Sequence, residues 1–96
     1  MKIKLIISPN FTKRKNRKIR FIIIHYTGMK TASDSIKRLK SKKHKVSCHY
    51  LIDNSGKIVQ MVKDQDVAWH AGISYWDGMK NLNNSSIGIE LQNKGQ

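Results

Sequence analysis

The strongest hydrophobic signal in the chain is the run Phe21–Ile24, four bulky residues that are aromatic or β-branched. The run is too short for a helix, and successive positions of a strand point to opposite faces. It therefore predicts a central strand over 20–26 that is covered on both faces. His25 follows at the end of this strand, where the ligand sites of α/β domains lie. A neutral imidazole at that place can bind a metal or transfer a proton.

One helix is predicted over Ala32–Lys43. Thr31 or Ser33 can cap its first turn, because their hydroxyl groups accept hydrogen bonds from free backbone N–H groups. Ile36 and Leu39 form a narrow apolar stripe. Such a stripe is typical of a helix that lies on a sheet with most of its surface in water.

Three further strands are predicted in the second half of the chain. Val46–Ile52 and Lys57–Val62 flank the turn sequence Asp53–Gly56, which predicts a β-hairpin. Ser86–Leu91 is the last predicted strand, and Gly88 within it allows another group to approach the backbone closely. This order of elements predicts a single α/β or α+β domain whose sheet has mixed strand directions. The predicted loops are 69–72 and 77–84.

The length of 96 residues limits the chain to one domain. The single cysteine, Cys48, excludes an internal disulfide framework and fits a reducing compartment. The apolar part of the first segment, Leu5–Ile7, is shorter than the roughly 7–15 residues that a signal peptide needs, and no run approaches transmembrane length. We therefore expect a cytoplasmic protein, or a periplasmic or cell-wall protein if the N-terminus is misassigned.

The net charge of +13 is the most unusual feature of the composition. Such a field attracts nucleic acid, anionic lipid or an acidic polymer such as cell-wall material. The charge is concentrated in two clusters, and neither contains interleaved aromatic residues or belongs to a recognisable nucleic-acid module. We therefore favour solvated charged faces and expect no nucleic-acid partner. The clusters consist of Lys13, Arg14, Lys15, Arg17, Lys18 and Arg20, and of Lys37, Arg38, Lys40, Lys42, Lys43 and Lys45.

The candidate chemical residues lie far apart along the chain and form no compact metal or nucleophile motif. His49 and Cys48 stand in an apolar strand, where packed and hydrogen-bonded side chains are the favoured interpretation. His70 lies beside Trp69 in a glycine-flanked loop, which is typical of ligand contact, although Trp69 can also simply cover the core. Glu90, the single glutamate, alternates with apolar neighbours. It is either a solvated carboxylate or, if its face carries the metal, a general base.

Four segments then reveal a resemblance when they are taken in order: IIIHYT (22–27), VSCHYLID (46–53), VAWHAG (67–72) and NLNNSSIGIELQN (81–93). Together they resemble the type-2 N-acetylmuramoyl-L-alanine amidases, zinc hydrolases related to phage amidase lysozymes and peptidoglycan recognition proteins. The opening segment SPNFTKRKNRKIR (8–20) is also similar to the bacterial branch of this family. No single segment is decisive, but the ordered set is highly specific.

The resemblance implies an α/β domain with a mixed β-sheet flanked by helices, and a zinc ion at one end of its central strands. His25 would be the first zinc ligand. Glu90 would be the carboxylate that works with the zinc-bound water to cleave the amide between N-acetylmuramic acid and L-alanine. His49 would support the site without binding metal. The residues implied to line the groove for peptidoglycan or muramyl peptides are Trp69, His70 and Asn83.

One departure from the family pattern concerns the remaining metal ligands. The family takes a second histidine and a third ligand, aspartate or cysteine, from a segment well after the strand Ser86–Leu91. The resemblance therefore implies an incomplete amidase domain over 1–96, with a missing C-terminal half as its partner. A catalytic zinc needs three protein ligands, and no pattern places His44 or Asp77 near His25. We expect little or no amidase activity from this chain alone; the alternative is a non-catalytic module that binds muramyl peptides.

Overall fold

The computed structural model describes residues 2–15, 18–70, 75–76, 79–80 and 82–93, which form nine strands, one α-helix and one 3₁₀ helix. In chain order the elements are β1 (Ile3–Leu5), β2 (Phe11–Lys13), β3 (Phe21–Tyr26), α1 (Ala32–Lys40), β4 (Tyr50–Ile52), β5 (Ile58–Gln60), β6 (Asp66–Ala68), β7 (Tyr75–Trp76), β8 (Met79–Lys80), the 3₁₀ helix Leu82–Ser85 and β9 (Ser86–Leu91).

Five of these strands form one mixed sheet in the order β1–β5–β4–β9–β3. The neighbours β4 and β5 are antiparallel, as the hairpin prediction required. β1 runs parallel to β5, and β9 runs parallel to both β4 and β3. β2 pairs with β6, and β7 pairs with β8, in separate antiparallel pairs. The predicted α/β domain with a mixed sheet is therefore confirmed.

The strand that carries His25 does not lie at the centre of the sheet. β3 is the last strand in the order, and its one strand neighbour among the described residues is β9. Ile22, Ile24 and Tyr26 lie on one face of β3 and are 68%, 58% and 66% exposed. The prediction of a central strand covered on both faces is therefore wrong for the described part of the chain. An apolar run reports that both faces are hydrophobic, but it does not report what covers them.

The helix begins as predicted and ends earlier. Thr31 is the N-cap, and its hydroxyl accepts a hydrogen bond from the N–H of Asp34 at 3.1 Å. The helix ends at Lys40 rather than at position 43, because Ser41 takes an extended conformation and its N–H donates to the carbonyl of Arg38. Among the described residues no helix is long and apolar enough to cross a membrane.

Two other predicted elements differ in extent. The predicted strands 46–52 and 57–62 are reduced to β4 and β5. Residues before β4 bond to other segments: the N–H of Ser47 donates to the carbonyl of Trp69, and the N–H of His49 donates to that of Gly88. The predicted loop 77–84 contains β8 and most of the 3₁₀ helix, while positions 77, 78 and 81 lie outside the described residues.

The core lies between α1 and the sheet. Leu39 of the helix packs with Cys48, Leu51 and Met61, and all four are buried. Gln92, which follows β9, fastens the helix to the sheet because its side-chain carbonyl accepts a hydrogen bond from the buried hydroxyl of Ser35 at 2.6 Å. This attachment holds α1 over the sheet face that carries the candidate site.

Candidate functional site

His25 and Glu90 lie side by side on two adjacent strands. The parallel pairing of β3 with β9 places these two residues opposite each other in register, so their side chains lie on the same face of the sheet. Glu90 lines a cavity together with Ser35 and Leu39 of α1, which identifies this face as the one that the helix covers. Sequence reasoning selected both residues, and the sheet topology brings them together.

His70 connects His25 to Ser86. Nδ1 of His70 lies 3.0 Å from Nε2 of His25, and Nε2 of His70 lies 2.9 Å from Oγ of Ser86. The rings of His25 and His70 meet edge to face, with centroids 5.2 Å apart. The backbone N–H of His70 also donates to the side-chain carbonyl of Asn83 at 3.1 Å. These contacts fix both the ring and the backbone of a residue that follows β6 in an irregular segment.

Gly88 makes room for the His70 ring. A Cβ atom at position 88 would lie 2.4 Å from Cγ of His70, far inside van der Waals contact. The predicted close approach to Gly88 is therefore confirmed, and the approaching group is an imidazole. Because Gly88 lies between Ser86 and Glu90 on the same sheet face, its missing side chain allows His70 to reach both Ser86 and His25.

His49 supports this arrangement from within the core. Its Nδ1 accepts a hydrogen bond from the N–H of Gly88 at 3.0 Å, so its proton lies on Nε2, which donates to the carbonyl of Asp66 at 2.8 Å. Burial lowers the pKa of His49, which favours this neutral form. His49 and Cys48 are both fully buried, as predicted, and burial raises the pKa of the Cys48 thiol.

Arg14 is the site-supporting residue that sequence reasoning missed. Its side chain is only 5% exposed, so the expectation that its whole basic cluster is solvated is wrong at this position. The guanidinium group donates to backbone carbonyls on two segments that flank the site and also contacts His49 at 3.3 Å. Burial lowers the pKa of Arg14, and the nearby carboxylates of Asp64 and Asp66 oppose that effect. The accepting carbonyls, at 2.8–3.4 Å, belong to Asp64, Asp66, Asn83, Asn84 and Ser86.

A cavity of about 130 Å³ opens beside Glu90 and His70. It combines apolar walls with hydroxyl groups and one cationic side chain, as small-ligand sites do. Trp69 and His70 both line it, whereas Asn83 acts on His70 through a hydrogen bond. The lining residues are Thr27, Met29, Ser35, Arg38, Leu39, Val46, Ser47, Trp69, His70 and Glu90.

Burial controls the electrostatics of the site. It raises the pKa of Glu90, and the neighbouring His25 opposes this rise. Burial, reinforced by the imidazoles of His25 and His49, lowers the pKa of His70 to about 3. His70 is therefore a neutral hydrogen-bonding group at neutral pH, and Glu90 is a stronger base than an exposed carboxylate.

Ser86 and His70 form the hydrogen bond that is typical of a serine nucleophile and its base. A substrate, however, cannot reach the Ser86 hydroxyl. Ser86 is fully buried, whereas a nucleophile must reach the carbonyl carbon of its substrate. A serine hydrolase mechanism at this pair is therefore excluded.

The described residues do not fit a complete zinc centre. No group of three histidine, cysteine, aspartate or glutamate side chains among them could hold a metal ion. His25 has Nε2 engaged with His70, which leaves one ring nitrogen for any other partner. His44 is exposed in the turn after α1, and Asp77 lies outside the described residues. The described side chains alone therefore cannot supply the three ligands that a catalytic zinc needs.

A family model described as N-acetylmuramoyl-L-alanine amidase matches residues 15–96. The chain belongs to this family. The matched range contains the register pair His25 and Glu90, together with His49, His70 and Ser86.

Curated amidases of this family resemble the chain over most of its length. N-acetylmuramoyl-L-alanine amidase AmiD of Escherichia coli is 44% identical over 85 residues, which cover 81% of this chain and 30% of AmiD. The 1,6-anhydro-N-acetylmuramyl-L-alanine amidase AmpD of Haemophilus influenzae is 35% identical, over 95% of this chain and 59% of AmpD. The chain thus spans less than two thirds of the length of either relative.

Solved amidase structures share its fold. A crystal structure of a selenomethionine AmpD derivative superposes with a TM-score of 0.72 at 28% identity, covering 95% of this chain and 61% of that one. AmiD from E. coli, in complex with the substrate anhydro-N-acetylmuramic acid-L-Ala-D-γ-Glu-L-Lys, gives a TM-score of 0.71 at 44% identity. That match covers 83% of this chain and 32% of AmiD.

Proposed function

We propose that this chain carries part of the active centre of an N-acetylmuramoyl-L-alanine amidase. The reaction is hydrolysis of the amide between N-acetylmuramic acid and L-alanine in peptidoglycan or its fragments. The register pair of His25 and Glu90 supports this proposal most directly, because it sets a basic carboxylate beside an imidazole at a cavity lined by Trp69 and His70.

Glu90 is proposed as the general base. A base is most effective when its pKa lies near the working pH, and burial raises the pKa of Glu90 in that direction. Its carboxylate can accept a proton from the attacking water and pass that proton to the departing amine. The neighbouring His25 opposes this rise in the pKa of Glu90.

His25 is proposed as one zinc ligand of the whole amidase. The family is zinc-dependent, but the described residues do not form a three-ligand set, so further ligands would come from other residues. We accordingly expect the purified 96-residue chain to bind zinc weakly and to cleave muramoyl-L-alanine substrates little. Efficient cleavage by this chain after the addition of zinc alone would contradict that expectation.

The proposed ligand is a muramyl peptide. Trp69 supplies an apolar surface for a sugar or an alanine methyl group, and Thr27 and Ser47 supply hydroxyl groups in the same cavity. Because Trp69 and His70 line the cavity independently of any metal, a non-catalytic muramyl-peptide-binding role is the second candidate. Retention of a muramyl peptide in the presence of a chelator, without cleavage, would favour that role. The cytoplasmic location stays a prediction.

A chimera tests the proposed activity. The part of this chain that aligns with E. coli AmiD, at 44% identity over 85 residues, would replace the matching segment of AmiD. The chimera would be assayed on anhydro-N-acetylmuramic acid-L-Ala-D-γ-Glu-L-Lys. We expect cleavage by the chimera, and a loss of at least about 100-fold in Glu90→Gln because a general base contributes that much. Asp34→Asn, which changes an exposed carboxylate on α1, is the matched control. A folded chimera that is inactive, or one that is indifferent to Glu90→Gln, would refute the assignment.

A further inference from the structure

The buried hydroxyl of Ser86 sets the direction of the hydrogen bonds around His70. Ser86 is 0% exposed, so bulk water does not reach it. Its Oγ has one hydrogen-bond partner among the described residues, Nε2 of His70 at 2.9 Å. A buried O–H group without an acceptor is strongly unfavourable. The Ser86 hydroxyl therefore donates its proton to Nε2 of His70.

The direction of this first hydrogen bond determines the second. A neutral imidazole has one N–H group and one acceptor nitrogen. Because Nε2 of His70 accepts from Ser86, the His70 proton lies on Nδ1, which faces Nε2 of His25 at 3.0 Å. His25 must then accept at Nε2. Its own proton lies on Nδ1, for which no partner is found in the part of the chain that the structure describes.

We propose that Ser86 is a positioning residue which, acting through His70, fixes the neutral side chain of His25 as the tautomer with its proton on Nδ1. The inference rests on the proposed function only in treating His25 as a site residue. In this tautomer the free nitrogen of His25 donates a hydrogen bond, so it suits an acceptor such as a carbonyl oxygen. A cation could bind at this nitrogen only after its proton had left, so the assignment describes the metal-free chain.

His49 provides an internal reference for this assignment. Its Nδ1 accepts from the N–H of Gly88 and its Nε2 donates to the carbonyl of Asp66. His49 is therefore the opposite tautomer, with its proton on Nε2. One chain thus contains both neutral forms of histidine in adjacent parts of the same hydrogen-bonded cluster.

Long-range ¹H–¹⁵N correlation spectra of the ¹⁵N-labelled 96-residue chain test the proposal. They would be recorded without metal or substrate at about pH 8, where ordinary imidazoles are neutral. We expect the proton of His25 on Nδ1 and that of His49 on Nε2. In Ser86→Ala the donor is lost, so the ratio of the two His25 tautomers should move toward the Nε2–H form by about 3- to 10-fold, as for the loss of one hydrogen bond.

Ser85→Ala is the matched control, because Ser85 Oγ is also buried but has no hydrogen-bond partner among the described residues. This variant should leave the His25 tautomer unchanged. A wild-type spectrum with the His25 proton on Nε2 would overturn the proposal, even if Ser86→Ala did not fold. An unchanged His25 tautomer in folded Ser86→Ala would also overturn it. Neither readout depends on amidase activity, so the proposed function can fail separately.

Discussion

Gly88→Ala is expected to displace His70 and to separate it from both of its side-chain partners. The new Cβ would lie 2.4, 2.5 and 2.7 Å from Cγ, Cδ2 and Nδ1 of His70, whereas nonbonded carbon atoms prefer about 3.5–4.0 Å. The ring must therefore move by roughly 1 Å or more. Its hydrogen bonds to His25 and Ser86, now 3.0 and 2.9 Å long, would then be broken or severely weakened.

The cost follows from these two effects. Overpacking a filled site costs about 1–3 kcal/mol, and each lost hydrogen bond about 0.5–1.5 kcal/mol. We expect the free energy of unfolding to fall by about 2–6 kcal/mol. Urea denaturation at constant m-value measures it, and the two His70 contacts can be followed in the same histidine spectra.

A double-mutant cycle shows whether the clash with the His70 ring causes the loss of stability in Gly88→Ala. If Gly88→Ala clashes with that ring, the same change made in a His70→Ala background should cost at least about 1 kcal/mol less. Additive free energies would refute the reasoning, because they would place the damage in the backbone of β9 or in the contacts of His49. Gly56→Ala is a useful comparison, since Gly56 has a positive φ of 87° but a Cβ added there would meet no atom within 4 Å.

Three further changes test the supporting structure. Arg14→Met should lower the free energy of unfolding by about 3 kcal/mol or more in urea, because buried carbonyls lose a charged donor; a cost below about 1 kcal/mol would contradict this role. Because burial lowers the pKa of His49 below its ordinary 6.5, the unfolded chain binds the proton first, so stability falls as the pH drops below 6.5. His49→Gln should reduce that slope, measured by denaturation at several pH values, and an unchanged slope would be the contrary result. Thr31→Ala should cost about 1 kcal/mol by loss of the N-cap, seen as a lower Tm, whereas exposed Ser33→Ala should change little.

Local signals predicted the elements that are defined by neighbouring residues. The cap at Thr31, the hairpin of β4 and β5, and the strand β9 all follow from turn chemistry or from short hydrophobic patterns. The meeting of His25 with Glu90 followed from the ordered resemblance, because alternation along one strand does not identify its neighbour.

The supporting contacts could not be predicted in the same way. Arg14 stands in a run of basic residues, and its accepting carbonyls lie 50 or more positions later in the chain. Carbonyl acceptors exist at every residue, so no side-chain pattern marks them. The sequence likewise did not predict Ser86 as a partner of His70, since the hydrogen bond between them depends on the space left by Gly88. The position of β3 at the end of the sheet reflects strand order, which hydrophobicity alone does not encode.

The attachment of β3 has a consequence for how the site is assembled. The β4–β5 hairpin closes around a short turn, whereas β3 joins the sheet through β9, pairing residue 25 with residue 90. Contacts between such distant residues carry a larger loop-closure cost and form slowly in folding. We therefore expect the β3–β9 pairing, and with it the approach of His25 to Glu90, to form later than the hairpin. Local opening of the β3–β9 pairing would separate His25 from Glu90 while the hairpin remained intact.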